Sequence, residues 1–108
     1  MIHIRARDGR IEIAGHAARD RDGNPTCCAA VSAAVQQAIL WYAMAGADPD
    51  TFASPFEENG GFAMIDTRTA VGQLPVGMQA AGRLTADTFI TVIKMMAKAW
   101  PGEIEIEE

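Results

Sequence analysis

The spacing of apolar residues changes near residue 26, and that change limits the folds open to this chain. In residues 1–7, Ile2 and Ile4 alternate with His3, Arg5 and Arg7; in residues 10–14, Ile11 and Ile13 alternate with Arg10 and Glu12. A period of two belongs to a strand with one buried face. Asp8-Gly9 separates the two runs and favours a two-residue hairpin turn. The chain therefore opens with an antiparallel hairpin that ends at Gly15-His16. From about residue 27 the spacing lengthens to three or four. Val31, Val35, Ile39 and Tyr42, set in alanine-rich sequence, predict a helix running to about residue 45. Thr26 is its expected N-cap, which places both cysteines in the first turn, and Gly46 is its expected stop.

The remainder completes the pattern. Residues 48–60 read as loop, with Pro49, Pro55 and Asn59-Gly60. Residues 62–66 read as a short strand, Phe62 and Met64 on one face and Ile65 on the other, and Phe52 or Phe56 is a candidate for a strand beside it. Residues 67–77, with Gly72, Pro75 and Gly77, read as loop. A second helix ends near Trp100. Its clearest part follows Thr85, with Phe89, Val92, Ile93, Met96 and Trp100 on one stripe, and Pro101-Gly102 breaks it. Residues 103–107 alternate again, Ile104 and Ile106 inward. Two amphipathic helices can cover one face of such a sheet. The expected fold class is therefore α+β, a small antiparallel-rich sheet with two helices packed on one face, built as a single domain over residues 1–108.

Composition narrows the function. A hydrophobic fraction of 49% with 21% charged residues belongs to a globular chain and not to a disordered one. The formal net charge of -5 argues against a nucleic-acid partner. Arg5, Arg7, Arg10, Arg19 and Arg21 gather near the start, while Glu103, Glu105, Glu107 and Glu108 close the chain; both read as solvated faces. No stretch reads as long enough to span a bilayer, so no membrane partner is expected. The opening residues lack the apolar core of a secretory leader. The two cysteines, Cys27 and Cys28, are adjacent, and neighbouring cysteines bond to each other only with strain. Reduced thiols without a leader point to a reducing cytoplasm. Adjacent cysteines also lack the usual zinc-ligand spacing, and only His3 and His16 offer ring nitrogens, so no metal and no cofactor is expected. No Gly-Lys-Ser/Thr phosphate loop and no Gly-x-Ser-x-Gly elbow occurs. The stripe of Phe89, Met96 and Trp100, with Met95 beside it, reads as core or dimer surface and not as a cofactor pocket.

Chemistry concentrates in residues 15–32, GHAARDRDGNPTCCAAVS. His16 ends a strand, Cys28 begins a helix, and a polar loop joins them. A thiol attacks as its thiolate. A helix start supplies backbone N–H groups and the positive end of the macrodipole, and both favour an anion. An imidazole within reach can take the thiol proton, and the same N–H groups can hold the oxyanion of an acyl intermediate.

These residues resemble the signature of the Prp family of ribosomal-processing cysteine proteases. Gly15-His16-Ala17 matches that family's GHA, Gly23 its loop glycine, and Cys28-Ala29-Ala30-Val31-Ser32 its cysteine followed by small residues and Val-Ser. The separation from His16 selects Cys28 over Cys27. Asn59-Gly60-Gly61, followed by an alternating strand, resembles the family's central region, so the likeness covers most of the chain.

The resemblance implies a catalytic pair of Cys28 as nucleophile and His16 as base, with Ser32, Gly15, Ala17 and Gly23 binding substrate. It implies a homodimer. It also implies a peptide partner, the N-terminal extension of a large-subunit ribosomal protein precursor (number twenty-seven), removed during ribosome maturation; an acidic chain suits such a basic substrate. The loop over residues 17–26 is then expected to order over the bound peptide. Ser32 lies one turn after Cys28 on the same helix face and can bond toward the thiolate or the loop. The chain departs from the family in one respect. Family members carry Asp three residues before the cysteine, then two apolar residues, where this sequence has Pro25, Thr26 and Cys27. Asn24, Asp22 and Asp20 are the candidate substitutes. Residues 69–77 are also longer than the family pattern. Two alternatives accompany this reading. One is a non-catalytic homodimeric interaction module of the same fold; the other is a phage or mobile-element protease with a different target.

Overall fold

The computed structural model describes residues 1–16, 21, 23, 26–54 and 61–108. The order of elements is β1 (Ile2–Arg7), β2 (Arg10–Gly15), α1 (Thr26–Ala45), α2 (Pro49–Phe52), β3 (Ala53–Ser54), β4 (Phe62–Asp66), α3 (Thr67–Gly72), a 3-10 turn (Val76–Met78), α4 (Gln79–Ala99) and β5 (Ile104–Glu107). The strands form one five-stranded sheet in the order β3-β4-β2-β1-β5.

The opening hairpin follows from its turn. Asp8 and Gly9 both take positive φ, 52° and 82°, the pairing a two-residue turn of this hand requires. Ile4 then stands opposite Ile13, and Ala6 opposite Ile11. Register carries the apolar face across the sheet: Ile13 opposes Ala63, Ile11 opposes Ile65, and Ile2 and Ile4 oppose Ile104 and Ile106. Ile2, Ile4, Ile11, Ile13, Ala63, Ile65 and Ile104 are all buried. His3, Arg5, Arg10, Glu12, Phe62, Glu105 and Glu107 occupy the other face, where His3 meets Glu105, Arg5 and Arg7 meet Glu107, and Arg10 meets Glu12. A one-residue slip would exchange the two faces, so this pattern fixes the register.

α1 and α4 cover the apolar face. α1 buries Cys27, Val31, Val35, Ala38 and Tyr42, a spacing of three and four residues that keeps one stripe inward. Ala38 holds the inner position expected for Ile39, which is only partly buried. The helix ends as Gly46 predicts. Gly46 adopts φ 121°, its N–H donates to the Ala43 carbonyl, and the Ala47 N–H donates to the Tyr42 carbonyl. That pair of bonds satisfies carbonyls the helix end would otherwise leave open. The Tyr42 hydroxyl, itself buried, donates to the Gly82 carbonyl at 2.8 Å and ties α1 to α4.

The α+β class and the helices on one face of an antiparallel-rich sheet are as expected. Three corrections accompany them. Residues 67–77, read as loop, contain α3 and the 3-10 turn. Asp66 accepts the Thr69 N–H at 3.0 Å and caps α3, while Leu74 and Ala70 are buried. Within the span read as loop before β4, Asp48 caps α2 by accepting the Asp50 N–H, and the buried Phe52 ends that helix; the strand expected beside β4 is β3, which starts one residue later at Ala53, while Phe56 lies outside the described residues. Finally, α1 begins at Thr26 itself. It is also long and apolar enough, at 20 residues, to cross a bilayer by length and composition, contrary to the reading that no stretch is. In this fold α1 is a core helix whose inner stripe packs on the sheet.

Candidate functional site

β2, an interior strand, ends at Gly15 and places His16 just beyond its C-terminal end. Two bonds hold the chain there. The Gly15 N–H donates to the Gly61 carbonyl at 2.8 Å, and the Met1 nitrogen donates to the His16 carbonyl at 2.6 Å. Gly15 has φ 95°, and a side chain there would run into the Met1 carbonyl oxygen. Glycine at this position therefore permits both the turn out of the sheet and the close approach of β1.

α1 starts across from this point. Cys28 stands in its first turn, half-buried. The N–H groups of a helix's first turn have no partners within the helix and carry the positive end of its dipole. Ile2, Gly15, His16, Cys28, Val31, Ser32 and Gly61 together line a cleft of about 140 Å³. Cys28 and His16 thus line one small space, together with Ser32 from the same helix as Cys28 and the apolar Ile2 and Val31. That combination can activate a nucleophile and hold an anion beside it.

Cys27 differs sharply from its neighbour. It lies in the core at 3% exposure, and burial pushes its thiol pKa up, with Cys28 and Glu103 adding to the effect. An apolar site that favours the neutral thiol makes a poor nucleophile.

The structure brings together His16, Cys28, Gly15 and Ser32 from the expected set. The Ser32 hydroxyl accepts from the Gln36 side-chain amide at 3.3 Å, a partner one turn on that was not anticipated. Gly23 is exposed, with φ 80° and room for a Cβ, and is not among the residues lining the cleft. Ala17, and the substitutes Asp20, Asp22 and Asn24 together with Pro25, lie outside the described residues. Among the described residues, Ile2, Val31 and Gly61 also line the cleft, though the sequence had not assigned them to the site. Ile2 reaches the cleft because it pairs with Gly15, and Gly61 because it bonds to Gly15 from the other side. The Asn59-Gly60-Gly61 run was the only sequence signal for the latter. Among the described residues, no group of three or more His, Cys, Asp or Glu side chains is placed to hold a metal ion.

No family model matches the sequence, and no curated protein matches it. Solved structures do share its fold. The essential ribosomal processing protease Prp from S. aureus, in complex with a covalently linked product peptide, superposes with a TM-score of 0.67 at 16% identity, over 98% of this chain and 95% of that one. The same protease in complex with a substrate peptide gives a TM-score of 0.66 at 15% identity, with the same coverage. The chain therefore has a Prp-like α+β fold, and the resemblance first seen in its motif extends to the architecture.

Proposed function

We propose that this chain is a cysteine endopeptidase in which Cys28 is the nucleophile and His16 the base, and that it removes the N-terminal extension of a large-subunit ribosomal protein precursor (number twenty-seven). The observation that carries the proposal is that His16, from a strand end, and Cys28, from a helix start, are both among the residues lining one cleft. The fold adds support, since a protease of that fold has been seen with a product peptide covalently linked.

In the reaction, the His16 imidazole takes the Cys28 proton. The thiolate adds to the scissile carbonyl, and N–H groups at the start of α1 hold the oxyanion. The C–N bond breaks as the imidazolium protonates the leaving amine, leaving a thioester on Cys28. His16 then deprotonates a water molecule, which adds to the thioester. The C–S bond breaks, the carboxylate product departs and the thiol regains its proton. The apolar contribution of Ile2 and Val31 to the cleft suits apolar residues beside the cleaved bond.

Homodimerisation and a cytoplasmic setting belong to the same proposal. Leu40, Met44 and Leu84 are exposed on α1 and α4 and offer a second copy an apolar surface; sedimentation measures the mass in solution.

The test offers the purified chain a precursor peptide that spans the extension and its junction, beside unrelated peptides of equal length. A single cut in the precursor that releases the extension supports the proposal. Cleavage only of unrelated peptides would reassign the target, and absence of cleavage of any peptide would leave the fold to a binding role.

A further inference from the structure

We propose that Gly61 is a positioning residue for His16: its bare Cα is the surface against which the imidazole is seated, and any side chain at 61 turns the ring out of the cleft. This rests on the assignment of His16 as base. The residue is buried, and a Cβ built on it would stand 2.5 Å from His16 Nε2, 2.9 Å from Cε1 and 3.1 Å from Cδ2. All three nearest atoms belong to one ring, so the space a methyl group would need is already filled by the imidazole. The backbone of Gly61 has φ 58°, in the left-handed region that favours glycine.

The backbones on either side are pinned. The Gly61 carbonyl accepts the Gly15 N–H, and the next residue, Phe62, pairs with Ala14 in the sheet. On the far side Ile2 pairs with Gly15, and the Met1 nitrogen holds the His16 carbonyl. Separating residue 61 from residue 16 would break these bonds, whereas turning the imidazole breaks none of them. The ring therefore yields first. Its loss from the cleft removes the base from Cys28 while the sheet and α1 stay in place. Size at position 61, and not polarity, governs the effect, so Gly61→Ala and Gly61→Ser act alike.

The test compares the rate of Cys28 alkylation by iodoacetamide, assigned by fragment mass spectrometry, in the wild type, Gly61→Ala, Gly61→Ser, His16→Ala and the double variant His16→Ala/Gly61→Ala. Circular dichroism and a thermal melt accompany each. The expected result is a slowing of about tenfold or more in His16→Ala, the loss of a base that activates the thiol. A similar slowing is expected in both Gly61 variants, with no further slowing in the double variant. A folded Gly61→Ala that reacts at the wild-type rate, or losses that multiply in the double variant, would overturn the inference. If Gly61→Ala melts early or fails to fold, the double variant must melt higher, because removing the ring removes the clash; a double variant no more stable than Gly61→Ala refutes the contact. A failed assignment of His16 as base reads differently: His16→Ala leaves alkylation unchanged, while the melts still report whether residue 61 and the ring compete for one space.

Discussion

Cys27 and Cys28 adjoin in the chain but meet different environments: Cys27 lies in the core at 3% exposure, and Cys28 lines the cleft beside His16. Successive residues on a helix point about 100° apart, which is enough to send one thiol inward and leave the next at the surface. Burial, then Cys28 and Glu103, push the Cys27 thiol up, so it lacks both access and anionic character. Iodoacetamide applied to the native protein is expected to label Cys28, and to label Cys27 only after denaturation. Mass spectrometry of the doubly cysteine-bearing peptide reads the order; Cys27 labelled first in the native protein would reverse the assignment.

Replacing the buried thiol separates structure from chemistry. Cys27→Ser places a hydroxyl in apolar surroundings and should cost about 1–3 kcal/mol of stability, measured by urea denaturation. Peptide cleavage per folded molecule should be unchanged. Lost cleavage in a well-folded Cys27→Ser would move the nucleophile by one residue.

The bond from Tyr42 to Gly82 predicts a pH dependence. Tyr42→Phe removes a buried donor to the Gly82 carbonyl and should cost about 1–2 kcal/mol near neutral pH. Burial, with Asp87 adding, raises the Tyr42 pKa from 10.0 to about 12. The folded state thus favours the protonated phenol. Its contribution is fully present below the unfolded value and is lost as pH climbs from 10.0 to about 12. Denaturation curves across that range should fall more steeply for the wild type than for Tyr42→Phe. Equal slopes would contradict the assignment.

α3 depends on its cap. Asp66→Ala removes the acceptor of the Thr69 N–H and should cost about 1 kcal/mol. Asp66→Asn, which keeps an acceptor, should recover most of it. A thermal melt distinguishes the two; equal losses would show that the cap bond contributes nothing.

These cases mark where the sequence was legible. The hairpin was readable because period-two alternation brackets a dipeptide suited to one turn type. The end of α1 was readable because Gly46 supplies the positive φ that its final hydrogen bonds need. α2 and α3 were not, since each is too short to show a period, and their starts rest on Asp48 and Asp66, which look like ordinary loop residues. The first turns of α4 were hidden for a related reason. Gly82, a poor helix former by propensity, lies buried there with Leu74, Val71 and Tyr42 close around it. In the site, the motif led to His16, Cys28, Gly15 and Ser32. Ile2 reaches the cleft through sheet pairing with Gly15 and Gly61 through a backbone hydrogen bond from Gly15, and such long-range contacts are not displayed by local spacing. The parallel pairing of β5 with β1 is of the same kind, because every other element of the chain intervenes between these two strands.

The account stands on Cys28 forming a covalent bond to the acyl half of a cut peptide. Rapid acid quench of the enzyme turning over the precursor peptide, followed by intact-protein and fragment mass spectrometry, tests this directly. The predicted result is an adduct with the mass of the N-terminal product on Cys28 in the wild type, with neither adduct nor cleavage in Cys28→Ser. Cleavage that continues in Cys28→Ser, or turnover by the wild type with the peptide bound elsewhere than at Cys28, would contradict it.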